Sequence, residues 1–396
     1  MNRAMQLFRN KASVAFIFLQ VFYTGITTVV NIFVNTFLLK SMGSTSNQVL
    51  FYNLIIAATQ PIAMIIAISL AKKGSLLVTQ RIGFVFYGIA CIFMAIYGEK
   101  IAPLYYIIAI LMAFGAGFYF TAYSRQMISY VLDETRDLFS GLMTFLSMII
   151  SITVPLLSGF LMTKFGFFGY KLMFIFVAVL AVSALISSKF LAPLQKSEND
   201  ASFLMVAKTI LKNSQGRKVM IASGIDNCRT FTIMFYITLL IYKAISNEML
   251  VSINSVTGSI AGLIGALIYG IIITKKRRYT SIFVAVTVIT TACIPILFNL
   301  SPITIMIFYA VNSLCSIYIS TPILNGYFSF IEKYSELKGK EAEVHTVREI
   351  FVTLGRAFGI ILILLIPQTK VGVSCTLLVL VLSCMLAGRL MKETLH

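Results

Sequence analysis

The chain has 396 residues, 59% of them hydrophobic, with a mean hydropathy of +0.92 and a formal charge of +18. So little polar surface excludes a soluble domain of any size, and a nucleic-acid binder would need a soluble basic face that this composition does not supply. What the composition does supply is twelve apolar stretches of about twenty residues each, the length a helix needs to cross the roughly 30 Å hydrocarbon layer.

The predicted spans are 13–39, 49–71, 76–97, 102–128, 139–163, 171–188, 219–242, 249–273, 280–298, 303–330, 345–367 and 371–391. The basic start, Met1 to Asn10, runs into the first span with no small-residue cleavage site, so it reads as the approach to a retained helix and not as a removed signal. An even number of spans puts both termini on one side. Of the 32 basic residues, six (Lys40, Lys100, Lys164, Lys171, Lys243, Lys370) fall at one set of loops and two (Arg229, Arg356) lie inside spans. The other 24 gather at the termini, the alternate loops and their flanks. By the positive-inside rule that asymmetry places both termini in the cytoplasm, in a bacterial inner membrane whose anionic lipids the charge also attracts.

In span 1, Gln20, Thr24, Thr27, Asn31 and Asn35 recur at steps of 4, 3, 4 and 4. At about 100° per residue all five fall within about 80° of each other, so one face is either wet or hydrogen-bonded to a neighbouring helix. Lys72 and Lys73 make the break after span 2. Span 4 repeats the striping with Tyr119, Tyr123, Gln126 and Tyr130, and a charged break, Asp133 to Asp137, comes after it. The connection from about Lys189 to Arg217 is the one long link. Within it Asn199 or Asp200 could cap a short helix whose Phe203, Leu204, Val206, Ala207, Ile210 and Leu211 are apolar and whose Lys208 and Lys212 are basic, a pattern that serves as a helix in the headgroup plane or as a plain tether.

Span 7 holds Asp226 and Arg229, three residues apart and so able to pair on one face. Such a pair either neutralises itself as a structural link or makes Asp226 a carboxylate that takes and releases a proton. Thirteen of the fourteen acids lie in loops, tails or span ends; Glu349, about five residues into span 11, is the second proton-coupling candidate. Span 10 carries Tyr309, Asn312, Ser316 and Ser320 on one face, and a second charged break, Glu332 to Glu343, comes next. Span 11 places Arg356 near the bilayer midplane, with His345, Arg348 and Glu349 towards its cytoplasmic end. An arginine so deep must face a cavity or a partner, and with Arg229 it favours a substrate bearing a carboxylate, phosphate or sulfate. The six cysteines are scattered without metal spacing and serve as small apolar packing residues. No nucleotide loop, zinc motif or nucleophile elbow occurs, so no enzyme activity and no cofactor is expected.

The break Ala71-Lys72-Lys73-Gly74 returns as Thr274-Lys275-Lys276-Arg277-Arg278 about 200 residues later, and the two charged breaks match in the same way. Six helices plus six in one orientation are a parallel repeat about an axis along the membrane normal. The domain reading is thus 1–188 and 218–396 as six-helix bundles, with 189–217 as the cytoplasmic linker.

On this arrangement the chain resembles the major facilitator superfamily. The sharpest match is Gly169-Tyr170-Lys171-Leu172-Met173-Phe174, which looks like that family's Gly-aromatic-basic-x-x-Phe approach to the sixth helix; Gly115-Ala116-Gly117 in span 4 is a second. The loop after span 2 keeps its basic residues but lacks the family's aspartate, which marks a divergent branch. The resemblance implies an all-α fold of twelve transmembrane helices in two pseudo-symmetric halves, working as a monomer. It also implies that helices 1, 4, 7 and 10 line a central cavity. The substrate set is then Gln20, Thr24, Thr27, Asn31, Asn35, Tyr119, Tyr123, Gln126, Arg229, Asn312, Ser316 and Arg356. The function expected is rocker-switch secondary transport, with proton-coupled export of a small amphipathic compound first. Uptake of a small anionic metabolite, a lipid or lipid-linked-intermediate flippase, and a sensor that moves nothing are the alternatives.

Overall fold

The computed structural model describes residues 9, 11–41, 46–73, 75–131, 133–191, 203–337 and 340–392. Most of Met1 to Asn10, the two cap candidates Asn199 and Asp200, and His396 lie outside them. Among the described residues a long helix stands at each expected span: α1 (Lys11–Ser41), α2 (Ser46–Lys73), α3 (Leu76–Tyr97), α4 (Tyr105–Tyr130), α5 (Asp133–Phe165) and α6 (Phe167–Ser187). They continue with α7 (Ser214–Ile245), α8 (Glu248–Ile272), α9 (Arg278–Phe298), α10 (Pro302–Lys333), α11 (Glu341–Leu365) and α12 (Lys370–Leu390). A short linker helix, Phe203–Lys212, precedes α7.

Among the described residues ten stretches are long and apolar enough to cross a membrane on composition alone. Two differences from twelve have physical causes. α3 and α4 run together as one apolar stretch through a 3-10 turn at Gly98–Leu104, and α11 carries too many charges, from Glu341 to Arg356, to pass as apolar. The charged break expected at Asp133 to Asp137 is not a loop: α5 begins at Asp133, and acidic residues suit a helix N-terminus. Large apolar side chains are left outside, with Ile271, Phe298 and Leu365 at 85%, 78% and 75% exposure. Faces so apolar are stable only against acyl chains.

The chain divides into two compact units, 1–200 and 201–396. Each repeats one packing scheme: α2 and α3 lie on α4 as α8 and α9 lie on α10, α3 packs on α6 as α9 packs on α12, and α1 meets α5 and α6 as α7 meets α11 and α12. Two contacts break the likeness: the backbone of α7 runs close along α10 whereas aromatic and amide side chains hold the backbones of α1 and α4 apart, and α5 packs more closely on α6 than α11 does on α12.

Local chemistry explains two of the tight turns. Gly166, with φ +56°, is the one residue between α5 and α6, a conformation that favours glycine. At Gly169 a Cβ would overlap the Leu161 carbonyl, so the glycine lets α6 fold back on α5. Tyr170 beside it is fully buried among Phe37, Phe167 and Phe174, and its hydroxyl donates to Thr36 Oγ1 at 3.1 Å. The Gly-aromatic-basic motif is thus a packing device at the α5–α6 turn. In α1, residues Val30–Val34 form a π-helical turn, a feature that inserts one extra residue and re-aims the rest of the helix.

Candidate functional site

In the first unit the predicted polar residues split between three helix seams and an open edge. The Tyr119 hydroxyl donates to Gln20 Oε1, and the Tyr119 ring stacks on Tyr23 at 3.3 Å, with Phe84 and Tyr87 edge-on to Tyr23. All of these are buried. Gln126 is fully buried against α3, where it and Gln80 donate to each other's amide oxygens at 2.5 and 2.8 Å. Asn35, beyond the π turn, accepts from Asn53 Nδ2 of α2 at 2.8 Å and is buried. Thr24 and Thr27 are half-buried and return their hydroxyl protons to the Gln20 and Tyr23 carbonyls. Asn31 is exposed and Tyr123 half-buried. Of the predicted stripe, Thr24, Thr27, Asn31 and Tyr123 therefore keep accessible polar surface, while Gln20, Asn35, Tyr119 and Gln126 are spent on hydrogen bonds between helices.

The Gln80–Gln126 pair carries its own prediction. Gln126→Leu leaves the Gln80 amide buried and unpaired and should cost about 1–2 kcal/mol. The double variant Gln80→Leu/Gln126→Leu removes both partners and should recover most of that loss in thermal-unfolding measurements.

The second unit gathers its residues more tightly. Arg229 is fully buried where α7 meets α10, and its guanidinium is divided among partners on both helices. Nη1 donates to Asn312 Oδ1 at 3.1 Å and Ser316 Oγ at 3.0 Å; Nη2 donates to Asp226 Oδ1 at 3.0 Å, Thr230 Oγ1 at 3.1 Å and Ser320 Oγ at 3.3 Å. Ser320 Oγ in turn donates to Asp226 Oδ1 at 2.9 Å. Nε is buried with no hydrogen-bond partner, and the Cys384 thiol of α12 lies near the guanidinium. The i,i+3 pairing expected from the sequence is present, and the Asn312, Ser316 and Ser320 face of α10 closes around it. The Asp226 side chain remains 9% accessible.

Arg356 of α11 is half-buried, its guanidinium 5.3 Å from the Phe231 ring and its Nη2 3.4 Å from Asn227 Oδ1. Thr230, on the same helix face, is exposed. Glu349 does not join Asp226. It is buried one position from Arg348, whose Nη1 stands 3.6 Å from Glu349 Oε1, while Oε2 has no hydrogen-bond partner. Arg348 itself lies over the Tyr327 ring at 5.1 Å and reaches Ser223 Oγ at 3.4 Å.

Sequence reasoning passed over Ser223, Asn227 and Thr230. Their signal was present, since they recur at steps of 4 and 3 along α7 in the same way as the stripe on α1, but the adjacent charges drew attention from them. Gln80 and Asn53 were also missed; Gln80 is the one amide in its span, and Asn53 shares its span with a single further amide, Gln60, too few to set a period.

Known proteins resemble this chain in three ways. An uncharacterized protein, YqgE of Bacillus subtilis (strain 168), is 25% identical over 356 residues, 88% of this chain and 82% of that protein. An uncharacterized protein from the sodM 3' region of Geobacillus stearothermophilus is 28% identical over 158 residues, 40% of this chain and 73% of that one. The crystal structure of a mutant of the nucleoside transporter NupG shares the fold, with a TM-score of 0.66 and 11% identity over 96% of this chain and 99% of that one. The profile of the Major Facilitator Superfamily matches residues 12–363. Two units built to one helix-packing scheme, polar side chains threaded through apolar helices, and a family match over most of the length lead to one conclusion: the chain is a multi-pass membrane transporter and belongs to the Major Facilitator Superfamily.

Proposed function

We propose that the protein is a proton-coupled secondary transporter, and that its cargo is a small amphipathic compound with an anionic or zwitterionic group, moved outward across the bacterial inner membrane. The observation that carries this reading is the polar knot of the second unit. An Arg–Asp pair, closed off by Asn312, Ser316 and Ser320, lies under an accessible face of Asn227, Thr230 and Arg356. Arg356 is the cation that meets the anionic group, because Arg229 already spends both terminal nitrogens on protein oxygens. Phe231 beneath it offers an aromatic surface to the apolar part of the cargo. In the first unit Thr24, Thr27, Asn31 and Tyr123 supply neutral hydrogen-bonding groups.

Asp226 couples to the proton. Its Oδ1 ties α7 to α10 through Arg229 and Ser320, so a proton on this carboxyl weakens the tie and frees α7 to shift against α10. The two units then expose the site to each side of the membrane in turn. Export is the direction that suits an amphipathic cargo of this kind, for which Phe231 and Tyr123 offer partly accessible aromatic rings beside the polar groups. Cytoplasmic termini follow from the distribution of the basic residues.

In proteoliposomes screened against anionic, zwitterionic and cationic amphiphiles, with nucleosides included because a nucleoside transporter shares the fold, Asp226→Asn should abolish gradient-driven transport while counterflow persists. Driven transport at the normal rate in that variant would remove Asp226 from coupling.

A second reading, a lipid flippase, is favoured by one observation. An apolar groove of about 240 Å³ lies between α7 and α11, lined by Ile221, Ile225, Cys228, Phe351, Leu354 and Phe358, of which Leu354 and Phe358 are exposed. Arg356 on the same helix could hold a headgroup while an acyl chain lies in the groove. Fluorescent-lipid scrambling by the purified protein, lost on Arg356→Gln, would select this reading.

A further inference from the structure

The linker helix, Phe203–Lys212, is fixed to α7 more firmly than a tether needs to be. A single residue, Asn213, separates the two, and its side chain caps α7 by accepting from the Gln215 and Gly216 amides. Arg217, in the first turns of α7, reaches back and donates to the Leu211 and Lys212 carbonyls at 2.7 and 3.4 Å, which caps the C-terminus of the linker helix. Gly216 sits against the Ile210 carbonyl, and Val206 and Ile210 are buried where the linker helix packs on α7 and α11. The two helices therefore form one rigid corner.

The opposite side of the linker helix is apolar and basic at once. Leu204, Met205 and Leu211 are 74%, 61% and 42% exposed, and Lys208 and Lys212 stand exposed among them. At about 100° per residue these five span about 120°, directly across from Val206 and Ile210. A face of this kind is a poor fit to water, because three large apolar side chains lie bare. It is equally a poor fit to pure hydrocarbon, because two ammonium groups would be desolvated. The boundary of a bilayer that carries negative headgroups satisfies both halves.

We propose that this face seats on anionic lipid, with Lys208 and Lys212 on headgroup phosphates and Leu204, Met205 and Leu211 at the acyl border, so that lipid charge holds the adjoining end of α7 in place. The lipid is recognised by its net negative headgroup. The proposal does not depend on the cargo or on proton coupling.

The chain contains no tryptophan, so Leu204→Trp creates a sole tryptophan reporter within the face. The full-length variant is reconstituted in bilayers of phosphatidylcholine and in the same bilayers with phosphatidylglycerol added. The expected result is emission quenched by brominated acyl chains and shielded from aqueous iodide, both effects larger with phosphatidylglycerol. Adding Lys208→Gln and Lys212→Gln should remove the dependence on phosphatidylglycerol while leaving elution on size exclusion unchanged. Reporter emission open to iodide in both bilayers would overturn the proposal and leave the face to another partner. Equal lipid quenching in both bilayers would overturn the recognition of charge and leave simple apolar insertion.

Discussion

Arg229→Ala should be the most damaging single substitution in the second unit. It deletes the group on which Asp226, Asn312, Ser316, Ser320 and Thr230 converge, and it leaves the Asp226 carboxylate buried without its countercharge. Breaking a buried pair by removing one partner costs about 3–5 kcal/mol, more than the pair contributes in comparison with an apolar replacement. The double variant Arg229→Leu/Asp226→Leu should accordingly be more stable than Arg229→Ala, although unable to couple. Arg229→Lys should fall between wild type and alanine, since an ammonium keeps the charge but cannot fork to α7 and α10 together. Cys228, Cys293 and Cys384 are buried, so a thiol-reactive dye that fluoresces as they become exposed on heating measures the whole series. Wild-type melting of Arg229→Ala would show that the knot bears little of the fold.

Gly355→Val should be comparably severe, for a steric reason. A Cβ at position 355 would overlap the carbonyl oxygen of Gly224, and a Cβ at 224 would fall 2.7 Å from the carbonyl oxygen of Phe351. Backbone meets backbone there, and no side chain is available to turn aside. α7 and α11, the most closely packed pair in the unit, would have to part. Overpacking of this kind costs about 1–3 kcal/mol even where side chains can adjust, and the upper end applies where they cannot. The separation would also draw Arg356 away from Asn227 and Phe231. Melting by the thiol dye should fall by several degrees, and transport should fall further than melting does. Gly270→Val, at a glycine with nothing within 4 Å, is the control and should leave melting unchanged.

The fold was legible because its signal is collective. Some twenty apolar residues in a row admit few structures, and twelve such rows with matching breaks admit fewer, so errors of a few residues at each end do no harm. The site was legible in part. The Asp226–Arg229 pairing and the Asn312, Ser316, Ser320 face follow from spacing on single helices, and the structure joins them across α7 and α10. What spacing cannot give is the neighbour. Gln126 and Tyr119 sit on a polar stripe whether the stripe faces water or Gln80 and Gln20, and only packing decides between the two. Nor does spacing report a change of pitch: Asn35 was counted at a uniform 100° per residue, and the wide turn ahead of it alters that count.

That turn also sets how tolerant α1 is of length. One surplus residue at Val30–Val34 turns everything beyond it by about 100° from a regular α-helical course, and the pairing of Asn35 with Asn53 is made in that rotated frame. A homologue lacking one residue here would be free to straighten α1, but its C-terminal half would then present a different side to α2. Gaps in this stretch should therefore be matched by replacement of the asparagines at both 35 and 53, so that an insertion or deletion and two distant side chains are inherited together.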